Sequence, residues 1–124
     1  MARTKKPPIS PQDKAVVGGL LRELRRAAGY RSVESAAAVE SSPASRQTIY
    51  SYERGSLTPS LHQFLELVEF YVLDAPRPQG AKPEADLRAL GVAAVTHALT
   101  LPAYHMVDAM RLIARMRPPS WDQR

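Results

Sequence analysis

The chain has no cysteine, which excludes disulfides and thiolate metal sites and fits a bacterial or phage cytoplasmic setting. No apolar run approaches the roughly 20 residues of a membrane helix. The start, Met1-Ala2-Arg3-Thr4-Lys5-Lys6-Pro7-Pro8, is basic but no apolar stretch follows, so no signal peptide is expected. Histidine is scarce as well. Of His62, His97 and His105, the last two are separated by a proline-containing break and have no cluster of carboxylates at ligand spacing, which argues against a metal centre. The six glycines form no phosphate-cradling loop, and no Ser-His-Asp order with supporting motifs or poised acid pair is present, so neither an enzyme nor a cofactor is expected.

What is present is a globular composition, 44% hydrophobic over 124 residues. That length holds one domain with an appendage or two very small ones, and a unit of about 60 residues buries only a marginal core, so something should help hold it together. The net charge of +5 is unevenly spread. Residues 1–32 carry eight Lys and Arg against two acids, residues 33–74 two against six, and residues 75–124 seven against four. Attraction to phosphate should therefore come mainly from the amino-terminal arm and the first helix. Residues 1–9 read as a flexible basic arm in which Arg3, Lys5 and Lys6 are candidate contacts to a DNA backbone.

The helical punctuation is dense. Ser10-Pro11-Gln12-Asp13 signals a helix start, and Val17, Leu20, Leu21, Leu24, Ala27 and Ala28 form an apolar stripe up to Gly29. Residues 32–40 predict a short alanine-rich helix capped by Ser32. Ser60 and Gln63 make a capping box for a helix with Leu61, Phe64, Leu65, Val68, Tyr71 and Val72 inside, which should stop near Asp74, before Pro76. Residues 75–83, with three prolines and a glycine, read as a linker. Residues 84–117 then predict a helical hairpin, with Leu87, Leu90, Ala94, Val95 and Ala98 on one stripe and Met106, Val107, Met110 and Ile113 on the next. Such a hairpin must cover itself with the preceding helix or with a second copy. Leu87, Leu90, Val95, Met106, Val107, Met110 and Ile113 are therefore expected at a homodimer interface, and residues 118–124 as a disordered tail.

Between these elements lies Ser45-Arg46-Gln47-Thr48-Ile49-Tyr50-Ser51-Tyr52-Glu53-Arg54-Gly55. On a helix started at Ser45, the residues Arg46, Gln47, Tyr50, Ser51 and Arg54 share one surface, while Ile49, Tyr52 and Glu53 fall on the other. Arg, Gln, Tyr and Ser are side chains that read base edges and phosphates, and two turns of them suit a DNA major groove.

Ser45-Arg46-x-Thr48-Ile49-x-x-Tyr52-Glu53-Arg54-Gly55, followed by Pro59-Ser60-Leu61, resembles the recognition-helix signature of the Cro/CI (XRE) family of helix-turn-helix regulators. The likeness covers about residues 14–74 and is similar in particular to the subgroup of actinobacterial developmental regulators. The turn Glu40-Ser41-Ser42-Pro43-Ala44 is about two residues longer than the common family pattern, as in that subgroup. The resemblance implies an all-α fold, a lambda-repressor-like helix-turn-helix domain of four to five helices at residues 10–74, which the hairpin read from the apolar stripes would follow. It implies base contacts from Arg46, Gln47, Tyr50 and Ser51, with Ser32, Ser45, Thr48, Arg54 and Thr58 on the DNA backbone. It also implies an ion pair between Arg25 and Glu53. The function expected is a DNA-binding transcriptional regulator, a homodimeric repressor on a two-half-site operator in the nucleoid. Alternatives are an antitoxin whose last helices bind a protein partner and a nucleoid-associated protein of low specificity.

Overall fold

The computed structural model describes residues 11–101 and 113–116. Among them the regular structure is all helical. Helix α1 runs Pro11–Ala27, with proline in its first turn where no N–H is needed and Asp13 beside the positive helix end. Its stripe of Val17, Leu21, Leu24 and Ala27 is buried as the three- and four-residue spacing demands.

Helix α2 spans Val33–Ala37 and is shorter than the expected run through Glu40. Ser32 and Ser35 cap it reciprocally. After Ala38 the backbone turns twice, with Val39 N bonded to Ala36 O at 3.2 Å and Ser42 N to Val39 O at 3.0 Å. Pro43, which has no N–H to continue a helix, follows. Helix α3, Arg46–Glu53, starts at Ser45, whose hydroxyl accepts from Thr48 N. It ends at Gly55, where φ is 77°, a left-handed conformation that closes a helix at little cost only in glycine.

Helix α4, Leu61–Glu69, opens on the Ser60–Gln63 capping box and passes into a π-helical turn, Phe70–Asp74. Its last backbone bond, Ala75 N to Phe70 O at 2.7 Å, reaches back five residues just before Pro76. Helix α5 is Glu84–Ala98.

Two expectations need correction here. Residues 75–83 are a strap fastened to the domain. Tyr30 Oη donates to Pro76 O at 2.5 Å, Lys82 N to Ala27 O at 2.8 Å, and Arg77 to the carbonyls of Tyr71, Val72 and Ala75. In addition, α5 shares the core of α1, α4 and the π turn. Leu87, Ala94, Val95 and Ala98 are fully or almost fully buried in the same cluster as Leu24, Phe64 and Tyr71. Leu87 and Val95, expected at a dimer seam, thus lie inside their own chain and have no surface left for a partner. Leu90 and Ile113 are partly buried against that core. Residues 113–116 are helical and return onto α4 and α5, where Arg115 pairs with Glu69 and Met116 is fully buried. Met106, Val107 and Met110, like Arg3, Lys5 and Lys6 and residues 118–124, lie outside the described residues.

Candidate nucleic-acid interface

The two faces of α3 serve different ends. Ile49, Tyr52 and Glu53 are buried, whereas Arg46, Gln47, Tyr50 and Arg54 are exposed and Ser51 is half-exposed. Arg46, Gln47, Tyr50, Ser51 and Arg54 line one open groove of about 420 Å³. Tyr50 is 40% exposed, a rare large aromatic left on the surface of the described residues. These are donors and an aromatic edge spaced over two turns, the chemistry that hydrogen-bonds base edges and phosphates.

The helix is held by an ion pair that almost no water reaches. Arg25 Nε lies 2.8 Å from Glu53 Oε2 and Arg25 Nη2 2.9 Å from Oε1, a bidentate pair with side chains 5% and 4% exposed. Arg25 Nη1 also donates to Tyr30 O at 2.8 Å. One guanidinium therefore ties α1 to the segment entering α2 and to the end of α3. Its hydrogen bonds to Glu53 hold the arginine above its ordinary pKa against the opposing effect of burial. Arg22 Nη2 donates to Glu53 O at 3.1 Å, satisfying a carbonyl at the end of α3.

Gly18 sets how closely α1 approaches. A Cβ there would stand 2.5 Å from Tyr52 O and 2.7 Å from Glu53 O, so only glycine lets α1 meet the end of α3. Beside the pair, the Tyr71 hydroxyl is buried with no hydrogen-bond partner among the described residues. Burial, and then the Glu53 carboxylate, push its pKa well above the ordinary tyrosine value.

The expected backbone contacts divide. Ser32 and Ser45 are exposed at the starts of α2 and α3, their hydroxyls accepting from Ser35 N at 3.1 Å and Thr48 N at 3.2 Å. The Thr48 hydroxyl accepts from Ser45 Oγ at 3.0 Å and belongs to the same cap. Thr58 Oγ1, expected on the DNA backbone, is buried without a partner among the described residues. Arg54 is exposed and lines the same groove as Arg46, Gln47, Tyr50 and Ser51.

One further side chain belongs to this surface. Glu34, the second residue of α2, accepts from Tyr50 Oη at 3.2 Å through Oε2, and Arg46 Nη1 lies 3.9 Å from the same oxygen. No sequence spacing connects residue 34 to residues 46 and 50, because the turn between the helices decides their distance. Gly18-Gly19 did leave a signal, since a helix interior tolerates glycine at about 1 kcal/mol each against alanine and usually for a packing reason.

Residues 16–79 match the model of the helix-turn-helix domain family. The chain belongs to that family. No curated protein and no solved structure matches it. In a helix-turn-helix domain the second helix of the motif is the one that enters the groove, and α3 lies within the matched residues. No described helix is long and apolar enough to cross a membrane.

Proposed function

We propose that this chain is a sequence-specific DNA-binding regulator of transcription of the Cro/CI (XRE) type. In this reading it acts as a homodimer on an operator of two half-sites and represses by occupying a promoter. The observation that carries the reading is the outer face of α3, where Arg46, Gln47, Tyr50, Ser51 and Arg54 share one open groove on a helix anchored by Arg25 and Glu53. Such an anchor keeps a reading helix at a fixed angle to the backbone it straddles, so that contacts of fixed length can discriminate. Arg46 and Gln47 stand in the first turn and choose sequence. Arginine grips guanine through O6 and N7, and glutamine grips adenine through N6 and N7, each at about 1 to 3 kcal/mol of discrimination. Tyr50 and Ser51 follow one turn later. Ser32, Ser45, Thr48 and Arg54 position the helix on the backbone, aided by Arg3, Lys5 and Lys6 of the arm. No metal or organic cofactor takes part in this reading.

The test is to select a preferred duplex from a random library with the full chain and compare Gln47→Ala with Lys14→Ala. Gln47→Ala is expected to weaken the selected duplex by roughly 5- to 150-fold while leaving random DNA unchanged. Lys14→Ala, on the basic first helix, is expected to weaken both together if Lys14 meets a phosphate. Equal losses on both DNAs for Gln47→Ala would show that α3 does not read bases.

A further inference from the structure

We propose that Glu34 is a specificity-determining residue of the DNA-reading surface, a carboxylate that engages Arg46 and Tyr50 off DNA and penalises contacts made only to phosphate. This inference rests on the reading of α3 as the recognition helix.

The carboxylate stands where a DNA-binding face would be expected to avoid one. It is exposed on α2, accepts from Tyr50 Oη at 3.2 Å and stands 3.9 Å from Arg46 Nη1. It therefore touches one candidate reader from each turn of α3. The other acid on α3's scaffold, Glu53, is buried and committed to Arg25, so its charge is already compensated. Glu34 is exposed and its ion-pair partner among the described residues is Arg46, itself mostly exposed. In water such a pair contributes little to folding, so its presence needs another account than stability.

That account comes from what happens on docking. As water leaves the interface, charges are less screened and the carboxylate repels nearby phosphates more strongly. On random DNA, Arg46 can offer only a phosphate contact in exchange for Glu34, and the balance is poor. Where a guanine presents O6 and N7, Arg46 gains two directed hydrogen bonds and the balance reverses. The same charge thus weakens non-specific binding more than specific binding. Selectivity rises at some expense in total affinity, which is how a repulsive element sharpens choice between partners.

The experiment uses the full chain, a duplex selected by it, and a random duplex of equal length, titrated between 50 and 200 mM salt. The variants are Glu34→Gln, which keeps a hydrogen-bond acceptor for Tyr50 but removes the charge, and Tyr50→Phe, which removes the hydroxyl and keeps the charge. For Glu34→Gln the random duplex should bind about fivefold tighter, with a salt slope steeper by up to about 0.9, while the selected duplex changes less than twofold. Tyr50→Phe should leave the salt slope on random DNA unchanged. Equal tightening on both duplexes by Glu34→Gln would overturn the proposal and reduce Glu34 to a general charge. Weakening confined to the selected duplex, with a new base preferred at one position, would overturn it too and make Glu34 a direct reader of a cytosine amino group. A wild-type chain that prefers no duplex at all would sink the recognition-helix reading itself, a failure visible before any variant is made.

Discussion

Arg25 makes three hydrogen bonds at once, two to Glu53 and one to Tyr30 O, and so sets the relation between α1, the entry to α2 and α3. Around it the tolerances are tight. Gly18→Ala places a Cβ 2.5 Å from Tyr52 O, and backbone carbonyls do not rotate away as a side chain would. Overpacking of this kind costs about 1 to 3 kcal/mol. Gly19→Ala meets nothing within 4 Å and gains up to about 1 kcal/mol of helix propensity. Urea unfolding of the two single variants should therefore move the midpoint in opposite directions, and a stabilising Gly18→Ala would show that α1 and α3 are not in close contact. Tyr71 gives a pH signature. Its folded pKa is raised above the unfolded value near 10, so its contribution to stability is complete below about pH 10 and is lost as pH rises toward the folded value. Above pH 10 the unfolded chain loses that proton while the folded chain keeps it, and stability should fall by up to about 1.4 kcal/mol per pH unit. Tyr71→Phe should remove that part of the alkaline slope. It should be near neutral at pH 7, because an unpartnered buried hydroxyl contributes no hydrogen bond. A loss of several kcal/mol at pH 7 would point to a buried water bridging the hydroxyl to the ion pair.

At the scale of elements, the parts governed by local rules were legible. Ser45, Ser60 with Gln63, Gly55 and Pro11 mark where α3, α4 and α1 begin or end because capping depends on neighbours in sequence. The outer face of α3 was legible because helical spacing alone gathers Arg46, Gln47, Tyr50, Ser51 and Arg54. The partner of α5 was not. An apolar stripe containing Leu87 and Val95 states that something must cover it, and the sequence does not distinguish the chain's own α1 and α4 from a second molecule. The strap was missed for a related reason. Three prolines and a glycine look like a linker, but here Pro76 O accepts from Tyr30, and the backbone N–H of Lys82 reaches Ala27. The placement of Glu34 beside Tyr50 depends on tertiary proximity, which no local pattern encodes. It follows that a fragment ending at residue 74 should not behave as a domain. Full burial of a leucine or valine is worth about 1.5 to 3 kcal/mol, so losing Leu87 and Val95 alone removes roughly 3 to 6 kcal/mol, comparable with the total stability of a small domain. Circular dichroism of residues 1–74 in urea should show no cooperative transition, whereas a sharp one would restore the division into two independent units.

For the whole molecule, the proposed function raises the question of how one short helix could be selective in a genome. A helix of eight residues, Arg46–Glu53, presents too few side chains to read more than a few base pairs. Two copies related by a twofold axis double the contacts and impose a spacing, since both helices must meet the major groove on one side of the duplex about 34 Å apart. The described apolar side chains of α5 and the C-terminal segment that remain partly open, Leu90, Val92, Leu99 and Ile113, offer limited area for such a dimer. Leu87 and Val95 are accordingly removed from the expected interface, and Met106, Val107 and Met110, expected there from the sequence, lie outside the described residues. Ile113→Asp is for that reason an ambiguous probe, since Ile113 also packs on its own chain's core. Spacing of the operator is a cleaner one. Inserting five base pairs between the half-sites of a selected operator turns the second site by about half a helical turn and moves it roughly 17 Å along the axis. A rigid dimer then engages only one half-site, and affinity should fall toward that of an isolated half-site, while an insertion of ten base pairs restores the facing but not the distance. Sedimentation on the unaltered operator should give two chains per duplex at saturation. One chain per duplex, with affinity indifferent to the insertion, would mean that the protein reads DNA as a monomer and that the open residues of α5 serve another partner.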